Sequence, residues 1–342
     1  MSVYKLSRLL GLFVVLVLLV ALVPAQVLAQ EPDETPVTEE EEAIDYAKQR
    51  VRIQTAAFCQ AQPTGLTLQD VVVGFSQMEN NNPWRIAETE SIKAEGEKRA
   101  KQILITDAQT QTAKQVSDVE DLIARGVDIL IIAPREYEGL APALEAAKDA
   151  GVPVFLVDRE AKGTPCEDFV TFMGSDFIQE GERAAQWLVE TMGEEGKVIE
   201  LYGTIGSSPA MDRATGFRNV IDQYPGIEIV ASQSGDFTRA LGQQVMEQLL
   251  QAYPDVDAVY AHNDEMALGA IQALKDAGRK PGEDVLVVSI DGTHDALQAI
   301  IDGDLGATCE CNPRFGPLAF DTIEKFLAGE PIPVKITVED MF

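Results

Sequence analysis

Residues 127–158 read VDILIIAPREYEGLAPALEAAKDAGVPVFLVD. Asp128–Ala133 and Pro153–Val157 are short aliphatic runs bounded by turn residues, whereas Tyr137–Ala150 between them places its apolar residues at helical spacing and ends at Gly151. Glycine takes the left-handed position that closes a helix at least cost. A strand, a helix and a second strand in so short a span form a βαβ unit, whose two strands run parallel in one sheet. Because the strands are apolar throughout rather than alternating, helices must cover both faces of that sheet.

The same unit repeats on either side. Upstream lie strand Val71–Phe75, helix Trp84–Ala100, strand Gln102–Thr106 and helix Thr112–Arg125, closed by Gly126. Downstream the rhythm restarts with strand Lys197–Tyr202, helix Pro209–Tyr224, strand Ile227–Ala231, helix Thr238–Tyr253, strand Ala258–Ala261, helix Glu265–Ala277 and strand Val285–Ile290. Two doubly wound α/β units in tandem are therefore expected. Phe169–Met173 with Gly174-Ser175 reads as the crossing between them, and Gly306–Cys311 as a crossing back.

The flanking sequence bounds the setting. Lys5 and Arg8 precede an apolar run from Leu9 to Val23, and Val27-Leu28-Ala29 supplies small residues for cleavage before Gln30, the pattern of a secretory signal peptide. A membrane span would need about 20 apolar residues, more than this run provides. The stretch from Gln30 to about Glu42 is Pro, Thr, Asp and Glu without a basic residue and is expected to be a disordered acidic leader, possessing too little apolar surface to offset its ordering entropy. Residues 30–67 as a whole are read as leader and linker. A formal net charge of −29 argues against nucleic acid and anionic membrane as partners.

Cys59, Cys166, Cys309 and Cys311 are too few for a disulfide scaffold and lack the spacing of a zinc site. Export permits disulfides, but the pairing stays open. Cys309 and Cys311, two apart on one expected strand, point to the same face, which favours partners elsewhere over each other.

In open parallel sheets, ligands bind beyond the carboxyl ends of the strands. Those positions here carry Ser76-Gln77, Asp107, Arg135, Asp158-Arg159, Gly203-Thr204, Asp236-Phe237, His262-Asn263-Asp264 and Asp291-Gly292. Any one of them could be a helix cap or turn residue; as a set drawn from both units they describe a polar cleft. Trp84, Arg85, Asp158, Arg159, Arg213, Phe237, Asn263 and Asp291 combine balanced charges with two aromatic rings, which suits a neutral sugar, with its donor–acceptor hydroxyls and apolar ring face. Enzymatic chemistry finds little support: the two histidines, His262 and His294, form no metal-spaced cluster, and neither a GxSxG elbow nor a Walker loop occurs. Gly203–Ser208 lacks the spacing of a phosphate loop, and Asp302-Gly303-Asp304 lacks the other ligands of a calcium loop. No cofactor and no metal are expected.

From Val71 onward the chain resembles the type I periplasmic sugar-binding proteins of the ribose-binding group, and within it the galactofuranose-binding branch of bacterial ABC importers. The resemblance rests on Gly74-Phe75-Ser76-Gln77, Trp84-Arg85 with Ala87-Glu88-Thr89, Val154-Phe155-Leu156 before Asp158-Arg159, Ser232–Arg239, Tyr260–Met266, Gly269–Ala273 and Ser289–Gly292. It implies two lobes joined by three crossovers, a first lobe of residues 68–174 plus 312–334 and a second of 175–311 plus 335–342. It also implies that the eight residues above contact sugar, that the protein is a monomer, and that it hands its monosaccharide to an ABC permease in the membrane. Arg85 stands where ribose binders carry a second aromatic, and Ala133 where they carry an Asn, which leans away from ribose. At the return crossover Glu310-Cys311-Asn312 replaces a Gln-containing segment, so Glu310 or Asn312 is expected to reach the cleft, with Asp107 as a further candidate. An exported sensor that presents ligand to a receptor shares this fold, as does the effector domain of a lactose-type repressor, but a repressor would begin with a basic helix-turn-helix rather than an export signal.

Overall fold

A computed structural model describes residues 51–53 and 57–342. The expected signal peptide, its cleavage site and the acidic leader lie outside the described residues.

The chain enters through β1 (Val51–Arg52) and β2 (Phe58–Cys59). It then builds β3 (Val72–Gln77), α1 (Pro83–Arg99), β4 (Gln102–Asp107), α2 (Thr112–Ala124), β5 (Ile129–Ile132), α3 (Ala141–Ala150), β6 (Val154–Val157) and β7 (Thr171–Ser175). The second lobe follows with α4 (Phe177–Met192), β8 (Glu195–Tyr202), α5 (Ser208–Ile221), β9 (Gly226–Ser234), α6 (Arg239–Ala252) and β10 (Ala258–Ala261). It is completed by α7 (Asp264–Asp276), β11 (Leu286–Asp291), α8 (His294–Asp302) and β12 (Ala307–Glu310). The chain then returns for α9 (Gly316–Ala328), β13 (Ile332–Pro333) and β14 (Lys335–Val338).

The first sheet has the order β1-β14-β7-β6-β5-β3-β4, and the second β12-β11-β10-β8-β9. Every pairing in both is parallel except β1 with β14. In each lobe the chain steps from its first long strand to one side and then to the other, so β3/β5 and β8/β10 are switch points, where diverging loops leave a crevice. The strands β5 and β6 are buried along their whole length, as their unbroken apolar sequences require. Phe155 meets Phe326 edge to face in the first lobe, and Phe217 stacks on Tyr260 in the second lobe.

Three differences from the sequence reading stand out. The segment expected as linker is built into the first lobe: β2 pairs with β13, Thr64 N donates to Leu327 O, and Cys59 is bonded to Cys166. The strand β14, expected in the second lobe, pairs with β7 in the first, and only the residues after it cross over, where Glu310 N donates to Met341 O. Cys309 and Cys311 have no disulfide partners and are buried as free thiols.

Candidate functional site

The first-lobe wall of the crevice is set by a helix start. Asn82 caps α1, its side chain accepting from Arg85 N, and Pro83 occupies the first turn, where its missing N–H costs nothing. That cap fixes Trp84 and Arg85 side by side at the mouth of β3. Trp84 Nε1 donates to Cys311 O at 2.7 Å, tying the indole to the return crossover, and the Arg85 guanidinium lies over the indole face. Arg85 is held at both ends, Nη1 on Glu88 at 2.7 Å and Nη2 on Asp158 at 2.6 Å. Asp158 follows β6 with a left-handed φ of 60°, a conformation Asp tolerates better than most residues.

The second lobe answers with α5 and the ends of β10 and β11. Arg213 Nε donates to Glu180, Nη1 donates to the His262 carbonyl, and Nη2 stands 3.6 Å from Asp291. Asn263 caps α7 while its amide donates to Phe237 O. Phe237 packs so closely on Gly203 that a Cβ there would sit 2.1 Å from the ring, which is why β8 is followed by glycine. The guanidinium groups of Arg159 and Arg213 both lie over the Phe237 ring.

These groups surround a small cavity lined by Glu79, Asn82, Trp84, Arg85, Asp158, Arg159, Pro209, Arg213, Phe237, Asn263, Asp291 and Cys311. Eight of the ten residues singled out from sequence are therefore in the wall. Asp107 is not: its carboxylate accepts from Gln109 N in a tight turn at the end of β4, an edge strand of its sheet. Glu310 is not either, since its carboxylate accepts from Met341 N, and Asn312 turns back to accept from Arg314 N. Cys311 takes the expected place of those two in the wall. Glu79, Asn82 and Pro209 also went unrecognised; the Asn82-Pro83 pair signals a helix start, and nothing local distinguishes a cap that faces a cavity.

Burial sets the electrostatics. It pushes Glu88 up to about 7 against the pull of Arg85, and raises Asp291 well above the carboxylate range despite Arg213. Arg159 is lowered to about 9, first by burial and then by Arg85. Its Nη1 donates to Arg135 O, whereas its buried Nε lacks a hydrogen-bond partner among the described residues. Three arginines and three acids in the wall, Glu79, Asp158 and Asp291, leave no excess formal charge to demand an ionic ligand.

Two α/β lobes around a polar crevice define a solute-binding protein of the two-lobed type. The family pattern described as a periplasmic binding protein domain matches residues 73–331, and the chain belongs to that family. It is 43% identical over 272 residues to the galactofuranose-binding protein YtfQ of Escherichia coli (strain K12), covering 78% of this chain and 86% of that one. Among solved structures it is similar to the binding component of the arabinose ABC transporter from Shewanella sp. ANA-3, bound to α- and β-L-arabinofuranose (43% identity, TM-score 0.75, 79% and 90% coverage). It is also similar to a Mycobacterium smegmatis protein in complex with β-D-fucofuranose (42% identity, TM-score 0.76, 79% and 90% coverage).

Proposed function

We propose that this chain is the solute-binding component of an ABC sugar importer, holding one neutral monosaccharide between its lobes, with galactofuranose as the first candidate. The observation that carries the reading is the division of one cavity wall: Trp84, Arg85, Asp158 and Arg159 come from the first lobe, and Arg213, Phe237, Asn263 and Asp291 from the second. Each half brings one aromatic ring with donors and acceptors of its own, so a sugar seated between them contacts both lobes at once. The cavity is small, which suits a single sugar ring rather than an oligosaccharide. The relatives named for galactofuranose, arabinofuranose and fucofuranose support a furanose.

In this reading the protein leaves the cytoplasm by the signal at residues 1–29, starts at Gln30 when mature, acts as a monomer and delivers its sugar to a membrane permease without altering it. Calorimetry with methyl β-galactofuranoside and methyl β-galactopyranoside tests the ligand. Heat from the furanoside alone is the expected result; tight binding of the pyranoside with no response to the furanoside would reverse the ring preference. Recovery of a chemically changed sugar after long incubation would make the protein an enzyme instead.

A further inference from the structure

Outside the cavity, the lips of the two lobes touch through groups that do not line it. Tyr137 N, in the loop before α3, donates to Gly206 O at 2.8 Å. Glu160 N, two residues past Asp158, donates to Ser208 Oγ at 2.8 Å, while the Glu160 side chain turns back to Lys335 in its own lobe. At the rim Arg135 Nη2 lies 3.4 Å from Asp236 Oδ1. None of these six interlobe residues belongs to the cavity wall. Ser208 is buried, at 3% exposure, so in the closed molecule its hydroxyl is the partner that stands in for the water Glu160 N would otherwise bind.

We infer that Ser208, Gly206 and Asp236 form with Glu160, Tyr137 and Arg135 a closure latch that sets how long a sugar is held without reading which sugar it is. The inference rests on the proposed importer function. All three contacts join residues of different lobes, so separating the lobes breaks them whatever the cavity contains. When a ligand is held by the closed form, its apparent affinity is its intrinsic affinity scaled by the tendency to close. A residue that acts only on closure therefore multiplies the Kd of every ligand by one common factor. A residue that touches the ligand changes the ratio between ligands.

Ser208→Ala and Asp236→Asn test this in the full mature protein, with calorimetry and stopped-flow kinetics on methyl β-galactofuranoside, L-arabinose and D-ribose. Loss of one neutral hydrogen bond should raise Kd between about twofold and tenfold for Ser208→Ala, by the same factor for each sugar bound and mainly through faster dissociation. Asparagine tolerates the left-handed backbone of residue 236 (φ 50°), so Asp236→Asn should fold and show a smaller loss that fades as salt rises. Unchanged affinity in Ser208→Ala, or a factor that differs between sugars, overturns the latch while wild-type binding stands. If Ser208→Ala does not fold, the salt-dependent loss in Asp236→Asn decides, and its absence overturns the latch. A wild type that binds none of the three sugars overturns latch and importer reading together.

Discussion

Arg159 and Asp291 line the cavity from opposite lobes. Arg159 Nε has no hydrogen-bond partner among the described residues, with Asp158 3.6 Å away, and Asp291 stands 3.6 Å from the Arg213 guanidinium. A sugar hydroxyl can accept from the first and pair with the second. A hydrogen bond from the Arg159 guanidinium contributes about 1.5–3 kcal/mol and one to a protonated carboxyl about 0.5–1.5 kcal/mol, so Arg159→Ala should weaken sugar binding roughly tenfold to a hundredfold and Asp291→Ala roughly twofold to tenfold. Calorimetry on variants with wild-type circular dichroism checks this, and unchanged affinity removes that residue from the site. Asp107→Ala, by contrast, should leave affinity untouched, because that carboxylate only closes a turn beside Gln109. The contrast shows what was legible at this scale. Strand-end position identified the residues at the switch points, but Asp107 and Asp158 are locally alike, each a strand-end Asp. β4 and β6 flank the switch-point pair on either side, and only the finished sheet shows β4 to be an edge strand and β6 an inner one.

Among the elements, the crossovers and the N-terminal strap were least legible. The helix α4 buries Phe177, Gly181, Ala184, Ala185, Leu188 and Val189, a plain helical repeat, yet it follows the crossing directly, with no strand of its own lobe before it, so the strand–helix rhythm offers no place for it. The sheet that β14 joins is decided by Lys335–Val338 meeting Phe172–Ser175, a pairing remote in sequence. The crossovers meet at Asp340, which accepts from Ser175 Oγ at 3.0 Å and whose carbonyl accepts from Arg183. Burial, then Glu180, pushes Asp340 up to about 8. An unfolded Asp titrates near about 3.9, so between these values the folded chain keeps a proton that the unfolded chain has released, and stability falls as pH rises. Asp340→Asn cannot ionise. It should match wild type at about pH 4 and melt at a higher temperature than wild type at about pH 9. A variant no more stable than wild type at the higher pH would contradict that protonation state. The Cys59–Cys166 bond closes a separation of 107 residues and pins the strap to the loop after β6. Reducing it should destabilise the protein by about 2–4 kcal/mol, seen as a lower urea midpoint in dithiothreitol. An unchanged midpoint would mean the strap holds through β1 and β2 alone.

For the molecule as a whole, two large sheets, each with its switch point, carry lobes that share one cavity wall, the arrangement that capture by closure requires. The repeat of βαβ units made the two lobes readable from the sequence alone, because hydrophobic periodicity is local; how the lobes meet depends on side chains far apart in the chain, such as Arg135 and Asp236. A ligand that touches both lobes gains contacts only when they close, which is the thermodynamic condition for shifting the population toward the closed form. The central claim, that sugar is captured by closure of the two lobes, is tested most directly by small-angle X-ray scattering on the mature protein titrated with methyl β-galactofuranoside. The radius of gyration should fall and saturate in step with calorimetric occupancy. Full occupancy with an unchanged radius of gyration would contradict the account.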